Sequence, residues 1–591
     1  MPQELTAAEA IRLISPGDRV FVGSACATPL SLLAALEAHR PVIPGVQLVH
    51  LLADGAGRGY PQEVFFIGGG LRGHTVAGDV DYVPLSSPDL PALISVGQQR
   101  IDVALVQVTP PDVDGDCSLG VSVDVTMAAV LAARVVVAEI NPNMPRTGPS
   151  STVPLARLTA VVKVDGPVAE YVHAPVGDAA ARIAPYVARL VPDGATLQIG
   201  LGRVPHEMQR YLGGRRDLRV HSDVVTDGLV DLLEAGVLRD EPGAVVASMA
   251  VGTQRLFDRL STPMVDFQPL EQVCSIRTLT SLQRLVSVTQ AFAVDLTGQV
   301  CADSENGELY GGVAAQPLMH YAAAHSPGGR AIVCLSTQFP DGTSRIRNVF
   351  LPGEAVTIAR ADVHYVTTEF GTAYLFGRSL RDRAVALIEV AHPGHRASLL
   401  RAAQDRGLIP MGQKLRSRGA YPGVEERTVP LDDQQTVLLR PARTGDAHAL
   451  QALFYRMPPH DVYTRFFRHL STLPLSMAEH LTSVSFDDEV TFLAVVGDIT
   501  AERIVGTASY FLDRVAGTAD VAYMVDPDFK GLGLGAALQA RIVAYARQQG
   551  VRAFTADVLM ENRAMLRLFR SSGLELTAHT TRGVTEVVLT L

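Results

Sequence analysis

The stretches AIRLISPGDRVFVGSACATPLSLLAALEA, Ala10–Ala38, and IAPYVARLVPDGATLQIGLGRVPHEMQRYLG, Ile183–Gly213, follow one plan. Each reads as a helix, a short Pro/Gly turn, an apolar strand, a glycine-bearing loop and a helix opening at a proline. This restart constrains the fold more than any other feature, because two copies of one α/β unit must each bury a sheet on both faces. The strands suit that role. DRVFVG, VQLVHLL, DVALVQV and RVVVAEI are apolar runs rich in β-branched residues, separated by amphipathic stretches such as TPLSLLAALEAH and DVTMAAVLAA. Continuous apolar strands alternating with helices are what a mostly parallel sheet requires. The expected class is α/β, with two open parallel-sheet domains at 1–190 and 191–416.

After the second copy the pattern lapses. KLRSRGAYPGVEERTVPLDDQQ, Lys414–Gln435, is charged, carries Gly419, Pro422 and Gly423 and shows weak periodicity, so 417–435 reads as a linker. A further α/β domain, opening on TVLLRPARTGDAHALQALF, fills 436–591. The 591 residues are in any case too many for one core. A formal net charge of -10, with no long basic run, leaves nucleic acid without its usual electrostatic footprint. Cys26, Cys117, Cys274, Cys301 and Cys334 include no CxxC pair, which argues against a disulfide framework or structural zinc. No metal is expected. The N-terminus lacks the basic start and unbroken apolar core of a signal peptide, and runs such as VALIEVA fall far short of the roughly 20 residues that cross a bilayer. The expectation is a cytoplasmic protein with no membrane partner, assembled as a homo-oligomer of which a C2 dimer is the commonest form.

The last domain carries the sharpest local chemistry. In DVAYMVDPDFKGLGLGAALQARIVAYARQQG a strand, Asp520–Val525, leads through KGLGLG, Lys530–Gly535, into a helix. Amides of a glycine turn at a helix N-terminus approach a pyrophosphate closely, helped by the helix dipole; an ordinary flexible turn is the plainer reading. VRAFTADVLMENRAMLRLFRSSGLELTA then supplies a strand over Phe554–Leu559, a capping Asn562, a helix over Ala564–Ser571 and Gly573 as its stop. This order resembles the GCN5-related N-acetyltransferase (GNAT) fold, and in detail the acetyltransferase domain of bacterial protein-lysine acetyltransferases. The resemblance implies acetyl-CoA or another acyl-CoA as substrate, with its pyrophosphate on Lys530, Gly531, Gly533 and Gly535 and a contact from Asn562. It also implies that Asp520 stands where a glutamate acts as general base. The plainer alternatives are a solvent-facing edge residue for Asp520 and a helix cap for Asn562. Phe569 occupies the place of a tyrosine that protonates the departing thiolate, and has no hydroxyl to do so.

The long N-terminal part has its own resemblance. PALISVGQQRIDVALVQVTPPDVDGDCSLGVSVDVT, VVVAEINPNMPRTG, DGATLQIGLGRVP, AVDLTGQVCADS and YVTTEFGTAYLFGRSLRDRAVALIEVAHPGHRASLL resemble the acetyl-CoA hydrolase/transferase family, which contains 4-hydroxybutyrate CoA-transferase. The resemblance implies a glutamate that attacks the acyl-CoA thioester, two residues before the aspartate of V-D-L-T-G-Q. Here Asp295 fits that aspartate, and the residue two before it is Ala293, whose methyl group is neither nucleophile nor base. The family's G-V-G-G-Q loop becomes Gly312, Val313, Ala314, Ala315 and Gln316, and its two added methyls are expected to crowd a ligand or remove a left-handed conformation. Glu139 matches a family carboxylate near this second CoA cleft, or else ties Arg146 or nearby backbone donors. Glu305 and Glu308 could project into the cleft, though a solvated turn suits ENGELYGG better. His221, Ser222 and Asp223 are consecutive, and residue types alone make no relay; His364, His392 and His395 read as loop or capping residues.

Two functions compete. In one, the GNAT domain acylates an amine, a protein lysine being the implied acceptor, and the impaired transferase-like module senses acyl-CoA or organises the oligomer. In the other, that module is an acetyl-CoA hydrolase or acyl-CoA:carboxylate CoA-transferase using a relocated carboxylate, with the GNAT domain accessory.

Overall fold

A computed structural model describes residues 1–591 apart from 40, 54–56, 58, 73, 75–77, 412–424, 432–434, 444–445, 483, 485, 487, 498–501 and 515. The chain divides into two units, Met1–Arg383 and Ala384–Leu591. In the first, the apolar runs become two eight-stranded sheets. One orders its strands Gln3–Glu4, Ala160–Lys163, Val135–Ile140, Val103–Val108, Arg19–Val22, Gln47–His50, Gln62–Val64 and Val80–Tyr82, all parallel. Val103–Val108 is buried at every position, as a central strand covered on both faces demands. The other runs Val265–Phe267, Val245–Ala250, Arg219–Val225, Thr196–Ile199, Leu285–Gln290, Arg330–Cys334, Tyr365–Thr368 and Gly371–Tyr374, parallel except at the last pair.

The two sheets share a topology. Apart from the edge strand Gln3–Glu4 of the first, in each the chain lays strands outward to one side and then returns to add the rest on the other. The order therefore reverses between Arg19–Val22 and Val103–Val108 in the first sheet, and between Thr196–Ile199 and Leu285–Gln290 in the second. A crevice opens beyond the carboxyl ends of strands at such a switch point. The repeat seen in Ala10–Ala38 and Ile183–Gly213 is thus a repeat of topology. Helix Asp178–Arg189 packs on Arg330–Cys334 and Tyr365–Thr368, so this segment joins the second sheet. Backbone bonds tie the halves together: Ala250 N–H donates to the Val121 carbonyl at 2.7 Å, and Ser87 N–H to that of Ala314 at 3.1 Å.

The second unit holds a sheet of another kind, ordered Arg427–Pro430, Thr436–Pro441, Glu489–Val496, Arg503–Asp513, Thr518–Val525, Ala553–Leu559, Val584–Thr590 and Glu575–Thr581. It is antiparallel but for one junction. Thr518–Val525 and Ala553–Leu559 run parallel and pair only at Thr518↔Ala553, Ala519↔Phe554 and Asp520↔Thr555. Past Asp520 each strand keeps its outer neighbour, Arg503–Asp513 on one side and Val584–Thr590 on the other, and the two splay apart. Side-chain alternation sends Ala519, Val521 and Tyr523 into the core beneath helix Leu534–Gln548. Asp520 shares the opposite face with Met524, which packs among residues of helices Ala447–Arg456 and Pro459–Phe466. Of the expected linker, 417–424 and 432–434 lie outside the described residues, while Arg427–Pro430 is a strand pairing with Thr436–Pro441. No helix among the described residues is long and apolar enough to cross a membrane.

Candidate active sites

Leu285–Gln290 ends at the second switch point, where the chain turns through Ala291 and Phe292 into a short strand, Ala293–Asp295. The turn that follows is organised by Asp295. Its Oδ1 accepts from the Thr297 amide and hydroxyl at 2.9 and 2.7 Å and from the Gln299 amide at 2.9 Å, and its Oδ2 from the Gln299 side chain at 3.0 Å. Gly298, at φ +93°, supplies the left-handed residue this turn needs. The D-L-T-G-Q residues are therefore scaffolding that fixes position 293. Ala293 itself is fully buried. Beside it, Arg345 donates to the Phe292 carbonyl at 3.1 Å and to Glu305 at 3.0 Å, its guanidinium 3.8 Å from the centre of the Phe339 ring. Burial lowers the Arg345 pKa against the opposing pull of Glu305.

The loop Gly312–Gln316 approaches the first half closely. A Cβ on Gly312 would stand 2.9 Å from the Phe65 carbonyl, so glycine is required there. Ala314 keeps a left-handed φ of +51°, contrary to the expectation that a methyl would remove it. Its docking onto Ser87 holds a conformation that costs an L-residue about 1 kcal/mol. Val313 is half-buried, and buried Ala315 precedes Gln316, the first residue of helix Gln316–His325. Glu139 lies at the start of helix Leu30–Ala38: it accepts from the Leu32 amide at 2.7 Å and from Gln107 at 3.3 Å, with burial raising its pKa. Arg146 pairs with Asp112 instead.

The remaining candidates of this unit separate. Glu305 and Glu308 face each other across a hairpin turned by Asn306 and Gly307, Glu308 exposed. His221 donates to the Val273 carbonyl at 2.7 Å, while Ser222 donates to that of Ile199 and, at 3.5 Å, to half-buried Asp223, which also accepts from Gln198; with His221 turned to Val273 no His–Ser–Asp relay forms. His364 packs against Phe376. In the second unit His392 caps helix Pro393–Asp405, with His395 close by. Among the described residues no group of three His, Cys, Asp or Glu side chains is arranged to hold a metal ion.

In the second unit Asp520 is the last paired residue before the splay and is open to solvent. Burial raises its carboxyl pKa, Arg465 pulls it down and Asp557 pushes it up. Arg465, in helix Pro459–Phe466, has its Nε buried without a hydrogen-bond partner among the described residues. The KGLGLG turn sits beyond the carboxyl end of the same strand. Gly531 and Gly533 both hold φ +83°, and a Cβ on either meets nothing within 4 Å, so the turn faces open space. Gly533 caps helix Leu534–Gln548; Ala537 N–H reaches back to its carbonyl, and the amides ahead of it point out of the helix end. This cradle suits a diphosphate. The Lys530 ammonium pairs with Asp461, and Gly535 has an ordinary φ. Asn562 Oδ1 accepts from the Met565 amide at 3.1 Å as the cap of helix Arg563–Arg570, and Phe569 is buried edge-on to Tyr523.

Comparison with known proteins assigns the two candidate sites to different families. Models of the acetyl-CoA hydrolase/transferase N-terminal and C-terminal domains match residues 3–169 and 252–403. The 4-hydroxybutyrate coenzyme A transferase of Clostridium kluyveri is 35% identical over 417 residues, covering 68% of this chain and 97% of that enzyme. The chain belongs to the acetyl-CoA hydrolase/transferase family. The crystal structure of RipA from Yersinia pestis is similar at 30% identity and a TM-score of 0.65, covering 69% of this chain and 98% of that one. To the family's two domains this member adds a GNAT domain, matched by the acetyltransferase (GNAT) family model over residues 455–574. Acetyltransferase PA5475 of Pseudomonas aeruginosa is 28% identical over 135 residues, covering 23% of this chain and 73% of that protein.

Three residues beside these sites escaped the reading of the sequence. Arg345 and Arg465 lie outside the stretches quoted above, Tyr523 lies inside DVAYMV without a motif of its own, and each gains its place from pairing or packing between distant segments. The one signal available for Tyr523 was the phase of its strand, which sets it on the face opposite Asp520.

Proposed function

We propose that the chain transfers an acyl group from acyl-CoA, acetyl-CoA foremost, to an amine such as a protein lysine, through its GNAT domain. The observation that carries this reading is the position of Asp520, ionisable and accessible where two strands part, on the same strand that delivers the chain to the glycine turn. In this reading the turn amides at Gly531, Gly533 and Gly535 hold the pyrophosphate, and the thioester lies in the splay. The Asp520 carboxylate takes a proton from the attacking amine, directly or through a water that fills the methylene by which aspartate falls short of glutamate. The amine nitrogen then attacks the thioester carbon. The transferase-like module contributes no nucleophile at Ala293. It acts as an acyl-CoA-binding or homo-oligomerising body, with Gly312–Gln316 and Glu139 around its cleft.

A second reading has one observation in its favour. Glu305 shares Arg345 with the Phe292 carbonyl, one residue from Ala293, so a relocated carboxylate would stand close to the vacated position. Its engagement in an ion pair weighs against it as an attacking group. One assay separates the readings: the full chain is incubated with a panel of acyl-CoAs, with and without acetate and a lysine peptide, following free thiol and acylated peptide together. Thiol release matched by acylated peptide supports amine acylation. Exchange of CoA onto acetate, or thiol release without either acceptor, supports the transferase or hydrolase and overturns the first reading.

A further inference from the structure

The strand that carries Asp520 presents a second polar group on its other face. Tyr523 is buried, at 5% exposure, in the core beneath helix Leu534–Gln548, and its hydroxyl has no hydrogen-bond partner among the described residues. That arrangement opposes stability. A phenol oxygen sealed in an apolar core without a partner is costly, and phenylalanine in the same place would avoid the cost altogether. Tyr545, in the same core, shows the usual solution: its hydroxyl donates to the Phe486 carbonyl at 3.0 Å. Tyr523 instead turns its ring edge-on to Phe569, centroids 6.1 Å apart.

Its place in the sheet gives the hydroxyl a use. Asp520 is the last residue of Thr518–Val525 to pair with Ala553–Leu559, so Tyr523 lies on the part of the strand that has parted from its neighbour. A thioester lying between the parted strands has one face of the sheet on each side. Asp520 serves the side from which helices Ala447–Arg456 and Pro459–Phe466 cover the sheet, and Tyr523 the side covered by helix Leu534–Gln548. The two groups are thus set to handle the two protons of one acyl transfer.

We propose that Tyr523 is the general acid of the amine acylation, donating its phenolic proton to the departing CoA sulfur. The proposal rests on the acyltransferase reading above. The amine nitrogen bonds to the thioester carbon and gives its proton to Asp520; the C–S bond breaks with its electron pair on sulfur. Tyr523 hydrogen-bonds the thiolate as it forms, and sulfur takes the Tyr523 proton as Tyr523 regains one from Asp520 through solvent, so the relay leaves free CoA thiol, an ionised Asp520 and no standing phenolate. Burial raises the phenol pKa, which keeps the proton in place until the thiolate forms. Phe569 can only pack there; its ring edge fixes the orientation of Tyr523.

The test uses the full chain, with acetyl-CoA and poly-lysine for turnover and CoA itself for binding. Tyr523→Phe keeps the ring and should lower kcat by roughly 10²-fold while leaving the affinity for acetyl-CoA unchanged. The double substitution Tyr523→Phe/Phe569→Tyr, which returns a hydroxyl from the facing ring, should recover part of that loss. Independently of any acceptor, the ultraviolet thiolate signal of bound CoA, titrated from neutral to alkaline pH, should show a midpoint about one pH unit lower in the unmodified protein than in Tyr523→Phe, because the hydroxyl stabilises the thiolate. Equal midpoints overturn the assignment, whether or not turnover falls. A lowered midpoint in a protein that acylates no amine places the hydroxyl at the sulfur and sinks the acyltransferase reading instead.

Discussion

Ala293 and Ala314 stand where the resemblance implies a glutamate and a glycine, a difference of a few atoms each, with separate consequences in the proposed reading. At 293 the proposed loss is chemical, since a buried methyl cannot attack a thioester, while the Asp295 turn beside it is fully bonded. At 314 the loss is conformational, because the residue holds a φ suited to glycine. Ala314→Gly should raise the unfolding free energy of the first unit by roughly 0.5–1 kcal/mol, the relieved strain being partly offset by the freer unfolded chain; denaturant titration would detect it, and a destabilised variant would refute the strain argument. On Asp520 the expected effect is catalytic. Asp520→Asn should cut amine acylation by about 10²- to 10⁴-fold with acyl-CoA affinity preserved, which calorimetry beside steady-state kinetics would separate. Because the base must be ionised, activity should fall as pH drops through the Asp520 pKa. Arg465 favours the charged carboxylate, so Arg465→Met should move that acid limb to higher pH. An unmoved limb would mean that another group sets it.

At the scale of elements, what could be seen beforehand and what could not follows from how each is encoded. The KGLGLG turn was visible because left-handed residues are written as glycine, and Gly531 and Gly533 do hold positive φ. The parallel strands were visible because burial on both faces leaves an apolar run. Arg427–Pro430 reads as linker in the sequence because it is short, mostly exposed and ends in proline, so neither alternation nor apolarity marks it. The splay was equally invisible: alternation sets the face of each side chain, but not the residue at which pairing with a distant strand stops. The turn also makes a prediction that distinguishes its glycines. Gly533→Ala forces a side chain into the left-handed region and should weaken acyl-CoA binding about tenfold. Gly535→Ala, at an ordinary φ with Leu568 no nearer than 3.7 Å, should weaken it far less. Equal losses in calorimetric affinity would show that open space above the turn, and not backbone conformation, decides the site.

At the scale of the whole molecule the two units respond to acid in different ranges. In the first, burial lowers the pKa of His320 to about 3 and of His364 to about 4, each below the unperturbed 6.5. The unfolded chain binds protons that the folded unit refuses, so stability present above pH 6.5 is lost progressively as pH falls toward those values, by at most ~1.4 kcal/mol per pH unit per histidine. In the second unit burial alone would raise the Asp446 pKa, but the paired Arg440 outweighs it and holds the pKa below 3.8. That contribution is retained above 3.8 and lost only as pH falls through the lowered value. Mild acid should therefore unfold Met1–Arg383 first, and His320→Leu should flatten its pH dependence; simultaneous loss of both units in a pH-stepped denaturation would contradict this. The unpaired stretch beyond Asp520 has a consequence of a different sort. Among the described residues no strand pairing closes that seam beyond Asp520↔Thr555, and two facing strand edges are where a sheet frays. An acyl-CoA seated between them binds the folded unit and not the unfolded chain, adding ~2.7 kcal/mol at about 100 times its Kd. Acetyl-CoA should raise the melting temperature of this unit, and a flat melting curve across its titration would rule the idea out. Where the shift is found, the half-life of the protein in a cell is coupled to the supply of its own substrate, so that starvation for acyl groups removes the enzyme as well as the reaction.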